Sequence, residues 1–169
     1  MKKALMIFLA ICFFIGGCIP WVYSIVQNIQ FDANCGDYLR LAADANDIDT
    51  AEKRISTAIE YLEENDLTSG YTKVFVYYPQ NDIGMWYENL KTAQTQLQEM
   101  QAGEYTELEQ SNMLMKLRET ILDDDGSLTH PMGISFADNF TLVFWLNMLL
   151  WIPCAFAGIM LICFAADEY

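Results

Sequence analysis

The chain has 169 residues, 53% of them hydrophobic, and a formal net charge of −14 at pH 7. Twenty of its 23 Asp and Glu lie between positions 27 and 137, with seven of its nine Lys and Arg, so that stretch carries a net −13 and the flanks carry almost nothing. An acidic stretch of this kind repels nucleic acid and anionic lipid, both polyanions, and suits a solvated surface or a basic partner.

Two uncharged apolar runs, 4–26 and 140–166, frame the acidic stretch. Each exceeds the roughly 20 residues with which a helix crosses a hydrocarbon core of about 30 Å. The expectation is an all-α membrane protein, with transmembrane helices over 4–26 and 138–166 around an outer acidic domain over 27–137. Lys2 and Lys3 precede the first run, which puts the short ends 1–3 and 167–169 in the cytoplasm. The first run has a second reading. Lys2-Lys3, the apolar stretch after them and Ile15-Gly16-Gly17-Cys18 have the spacing of a lipoprotein signal segment, with Cys18 lipidated and 1–17 removed. The apolar residues 19–26 that follow Cys18 favour an uncleaved span instead.

Within the acidic stretch the apolar periodicity predicts helices. Ile25, Ile29, Leu39, Ala42 and Ala45 share a face past the first run, with Gly36 as a weak point, and Asn46-Asp47 breaks the pattern. Asp49, with Glu52 three residues on, is the expected N-cap of a helix whose stripe is Ala51, Ile55, Ile59 and Leu62. Residues 71–78, rich in Thr, Val, Phe and Tyr and closed by Pro79, favour extended structure. A third helix begins near Asp82, carries Ile83, Trp86, Leu90, Ala93, Leu97 and Met100, and ends at Gly103. Thr106-Glu107-Leu108-Glu109 is a capping box opening a fourth. Its buried side is expected at Leu108, Met115 and Leu122 with Leu114, Leu117 and Ile121, and Asp123-Asp124-Asp125-Gly126 stops it. Residues 127–135 read as a loop. The result is an up-down bundle of three to four helices.

The layout of such a bundle between two apolar runs resembles the outer sensing domains of bacterial chemoreceptors, without a shared motif. Leu62-Glu63-Glu64-Asn65-Asp66-Leu67-Thr68-Ser69-Gly70-Tyr71-Thr72 and Asp82-Ile83-Gly84-Met85-Trp86-Tyr87-Glu88-Asn89-Leu90 resemble an uncharacterised family of small bacterial membrane-anchored proteins. The likeness covers about a third of the chain and implies no function, because none is known for that family; the two expected spans and their orientation are what place the chain in a bacterial inner membrane.

No enzymatic signature stands out. His130 is the single histidine, with no cysteine beside it to form a nucleophile–base pair, and neither a Gly-rich phosphate loop nor a His/Cys metal spacing is present. Asp123-Asp124-Asp125-Gly126 does not fit an EF-hand, whose first and twelfth positions would be Ile121 and Met132. No cofactor is expected. Three sets of candidate contact residues remain. Asn147, Trp151, Cys154 and Gly158 recur at three- or four-residue steps and form a helix face suited to packing against another membrane subunit or a second copy. Tyr71, Phe75, Tyr77, Tyr78, Trp86 and Tyr87 crowd the link before the third helix, as a ligand or partner contact or as a lid over the core. Cys35, alone outside the apolar runs, is a candidate for an intermolecular disulfide, or else a buried thiol. The function these features suggest is an accessory subunit of a larger membrane assembly. The alternative is an outer ligand-sensing module that signals through a separate partner.

Overall fold

The structure is a computed structural model that describes residues 2–73, 78–139, 142, 144–151, 153–154 and 156–157, with the backbone alone at 2–7, 9–17, 136 and 138–139. The described elements are α1 (Lys2–Phe31), a π-helical turn (Asp32–Gly36), α2 (Asp37–Ala43), α3 (Ile48–Glu64), α4 (Ile83–Ala102) and α5 (Glu107–Ile121), with 3-10 turns at Pro79–Asn81 and Ile134–Asn139. The chain divides into two compact units, 27–138 and the pair 1–26 with 139–169.

Local sequence sets the helix starts in the 27–138 unit. Asp47, extended at φ −143°, accepts the Thr50 amide at 2.7 Å and caps α3. The cap is therefore Asp47 and not Asp49. The capping residue must lie outside the helix for its carboxylate to reach the third amide, and Asp49 already sits in the first turn. Asp82 caps α4 in the same way through the Met85 amide at 3.1 Å. At α5 the Thr106 hydroxyl accepts the Glu109 amide and the Glu109 carboxylate accepts the Thr106 amide, as the capping box predicts.

The four helices close a ring in which α2 and α4 each pack against both α3 and α5. Leu39, Ile55, Ile59, Leu62, Ile83, Leu90, Leu97, Leu117 and Ile121 fill it, each almost wholly excluded from solvent. A line of polar contacts fixes the register of α3 against α4. Gln101 donates to Asp49, Gln98 to Glu52, Gln94 to Ser56 and Tyr87 to Glu63, at 3.2, 2.9, 2.7 and 2.5 Å. Each step up α3 is matched by an equal step down α4, so the pair is antiparallel.

Two expected stripes are displaced. On α5 the core face is Met113, Leu117 and Ile121, while Leu108 and Met115 are 71% and 59% exposed. Two residues turn a helix by roughly 200°, so Met115 points away from both Met113 and Leu117. Around the π-turn and along α2, Phe31, Cys35, Leu39 and Ala42 are buried, whereas Ile29 is 63% exposed. The π-turn adds a residue to one turn and rotates the apolar face of α2 relative to that of α1.

Among the described residues no helix is long and apolar enough to cross a membrane. The part of α1 described with its side chains, 18–31, is interrupted by Pro20, Ser24, Gln27, Asn28 and Gln30. A crossing needs a helix that is apolar over about 30 Å, and none is found among the described residues. This overturns the two transmembrane helices, and with them the multi-pass inner-membrane location. The all-helical bundle of the 27–138 unit stands.

The α5 assignment has a direct check. Leu117→Ala should lower unfolding stability by about 2–4 kcal/mol, and Met115→Ala on the same helix should change it by less than about 0.5 kcal/mol, both read by urea denaturation. Equal losses would restore the expected stripe.

Candidate functional site

The link between α3 and α4 folds back on itself. Asp66 (φ 56°) and Gly70 (φ 108°) take left-handed backbone, and the Thr72 amide reaches the Asn81 carbonyl at 3.1 Å while the Ile83 amide reaches that of Gly70 at 3.0 Å. Tyr71 forms a lone antiparallel bridge with Asp82. Thr72 is completely buried. The candidate aromatic residues are consequently dispersed. Trp86 enters the core at 8% exposure, while Tyr71 and Tyr78 stand 46% and 60% exposed. Tyr87 lies along α4, donating to Glu63 with Lys91 over its ring at 6.0 Å, and burial together with the Glu63 charge pushes its phenol up to about 12. Phe75 and Tyr77 lie outside the described residues.

Sequence reading missed the segment after α5. Leu122 and Leu128 bridge across a turn in which the Asp123 amide bonds the Ser127 carbonyl and the Gly126 amide bonds that of Asp123, both at 2.8 Å. Gly126 has φ 81°, and Asp125 accepts from both the amide and the hydroxyl of Ser127. The three aspartates thus build a hydrogen-bonded turn. Among the described residues no group of three or more His, Cys, Asp or Glu could hold a metal ion. Beyond the turn the chain runs back over the bundle. Leu128, Pro131, Ile134 and Ser135 are buried, and the Ser135 hydroxyl donates to the Asn28 side chain. His130 stacks on Phe31 with ring centroids 5.4 Å apart and planes 22° from parallel. Burial holds its imidazole below the usual pKa, against the pull of Asp32. The alternation Leu128–His130 is the one local signal that this stretch is not an open loop.

Between this return segment and the start of α4 lies a cleft of about 480 Å³, lined by Pro79, Gln80, Asp82, Met85, Trp86, Asn89, Asp123 and residues 128–131. Its wall is held by the Trp86 indole, which donates to the Thr129 carbonyl at 2.6 Å. Of the described residues among the expected contacts only Trp86 lines it; Tyr78 immediately precedes the lining in sequence.

Cys35 sits in the π-turn at 0% exposure, and burial, with Asp32 adding to it, pushes its thiol up to about 12. This is the buried thiol of the alternative reading, and in this fold it lacks the accessible thiolate that thiol–disulfide chemistry with a second chain needs. In the other unit Cys18, Asn147 and Cys154 are half-buried, Trp151 is 56% exposed and Gly158 lies outside the described residues. No protein-family model, characterised protein or solved structure matches the chain. No function therefore passes to it by kinship.

The half-buried imidazole sets a pH dependence. With its folded pKa below the ordinary 6.5, His130 takes up a proton more readily unfolded, so stability is full above that value and falls as the pH drops below it. The melting temperature should decline from pH 7 to about pH 5, before carboxylates titrate. His130→Phe, which keeps a ring on Phe31, should flatten that decline; an unchanged slope would assign it elsewhere.

Proposed function

We propose that the 27–138 unit is a non-catalytic protein-binding module, an accessory subunit of a larger assembly. One observation carries the reading. Tyr78 and Met85, 60% and 52% exposed, stand beside a cleft whose inner wall is Trp86. Aromatic and Met side chains exposed at the edge of a concave site mark contact surfaces more than solvated ones. Tyr71, Leu108 and Met115 add apolar area elsewhere on the unit. The cleft volume also falls in the range of small-molecule pockets, which favours a ligand-sensing module as the second reading.

Native mass spectrometry of the full chain, isolated from its own cells, separates the two. A subunit runs in a complex of fixed stoichiometry. The pair Tyr78→Ser and Met85→Ser should weaken that complex by about tenfold or more while leaving the melting temperature unchanged. A chain that runs alone, and is stabilised by a small molecule in a thermal screen, would replace the first reading with the second.

A further inference from the structure

We propose that the cleft between the start of α4 and the 123–131 segment receives a basic side chain from a Lys/Arg-rich segment of the partner protein, whose further basic residues track the carboxylate rim beyond Asp123. This rests on the protein-binding reading above and names the chemistry of the partner.

The lining supplies both halves of such a site. Asp82 and Asp123 lie on opposite walls, one at the cap of α4 and the other just past α5. Each fixes one oxygen within its own turn, Asp82 on the Met85 amide and Asp123 on the Thr129 hydroxyl at 3.1 Å. A carboxylate accepts through two oxygens, so this anchors the group and orients the second. Met85 and Trp86 add apolar wall between them. A Lys or Arg side chain has the matching form, an aliphatic stem with a cationic head, and an aromatic face adds attraction for the head.

No internal cation already fills this role. No Lys or Arg is among the described residues lining the cleft. His130 lines it, but burial keeps the ring neutral near pH 7. Arg118, on the adjacent surface, is committed to Asp44. The positive end of α4 does point here, but it amounts to about half a charge against the full charge of its cap Asp82. The C-terminus of α5, with its negative end, faces the same region.

The rim extends the footprint. Asp123 also lines a second, open depression with Glu119, Asp124 and Asp125, and with Arg118, whose guanidinium is paired with Asp44. Five carboxylates thus run from α4 across the end of α5, on a stretch with a net −13. A single small amine would answer the cleft but not the rim; a basic peptide answers both.

The test is fluorescence anisotropy with the full chain and a labelled nonapeptide alternating Arg and Ser, with the same peptide carrying Glu for Arg as control. The Arg peptide should bind and the Glu peptide should not, and raising salt from about 50 to about 300 mM should weaken binding. Asp82→Asn with Asp123→Asn should weaken it by about tenfold. Asn caps a helix as well as Asp, so circular dichroism should show the fold unchanged. Glu60→Gln with Glu64→Gln removes equal charge from α3 and should leave binding within about twofold. Equal losses in the two pairs would overturn the site in favour of diffuse acidity. Competition by arginine amide or Ca²⁺ as effective as the unlabelled peptide would overturn the peptide in favour of a small amine or an ion. If the peptide fails while native mass spectrometry finds a fixed complex, this inference falls and the accessory role survives. If the peptide binds at the two aspartates while the chain runs alone, the inference stands and the accessory role falls.

Discussion

The hydrogen bond from the Trp86 indole to the Thr129 carbonyl holds the cleft end of the bundle together. It joins residues 43 positions apart and fixes the return segment against the first turn of α4. An indole N–H buried at 8% exposure needs a partner, because leaving it unsatisfied costs about 1–3 kcal/mol. Once Thr129 is held, His130 falls on Phe31 and Ser135 reaches Asn28, so the segment after α5 closes over the π-turn. The cleft is the space this closure leaves beside Asp82. Its shape therefore depends on a contact to backbone, which side-chain variation along 127–131 can leave intact.

The π-turn belongs to the same arrangement. Gly36 lies under the return segment, where an added Cβ would come within 3.6 Å of Leu128 and 2.9 Å of the Asp32 carboxylate. The extra residue in that turn swings Phe31 and Cys35 inward together, giving His130 a ring to stack on. By contrast, the polar contacts between α3 and α4 lie on exposed faces. Bonds of that kind contribute little each and mainly select register, so the fold is held by the leucine and isoleucine core while the surface ladder chooses one antiparallel alignment.

The features legible in the sequence were local or periodic. The Thr106–Glu109 box, the Asp82 start and the Gly103 end of α4 could be read because capping needs only residues three apart. The α3 and α4 stripes could be read because each helix has one apolar face. The α5 stripe was legible only in part: Leu117 and Ile121 are buried as expected, but Leu108 and Met115 compete with Met113 on a helix apolar on two sides, and only the neighbours α2 and α4 decide between them. The return segment was opaque for a stronger reason: the residues that bury it, Asn28, Phe31 and Trp86, lie 43 to 107 positions away. Hydropathy misled most at the ends. It sums transfer preference over a window, whereas a crossing requires a helix that is both long and apolar throughout, and none of the described helices is both.

The placement of charge reflects where the cations went. Arg40 pairs with Asp37 and lies 3.9 Å from Asp32, Lys91 pairs with Glu63, and Arg118 with Asp44. These pairs neutralise the flanks of α2, α3 and α5 and leave the end of the bundle at Asp82 and 123–125 acidic. Acidic residues just beyond a helix C-terminus oppose the helix dipole, so Asp123, Asp124 and Asp125 are a poor choice for stopping α5. Asp125 is offset by Ser127 and Asp123 by Thr129; a Ser or Asn in the same turn could make similar bonds without the repulsion. Sequence choices that weaken local stability without a compensating contact inside the fold are where function is expected to enter. Here the missing compensation is positive charge, which is what a basic partner of the kind proposed would bring.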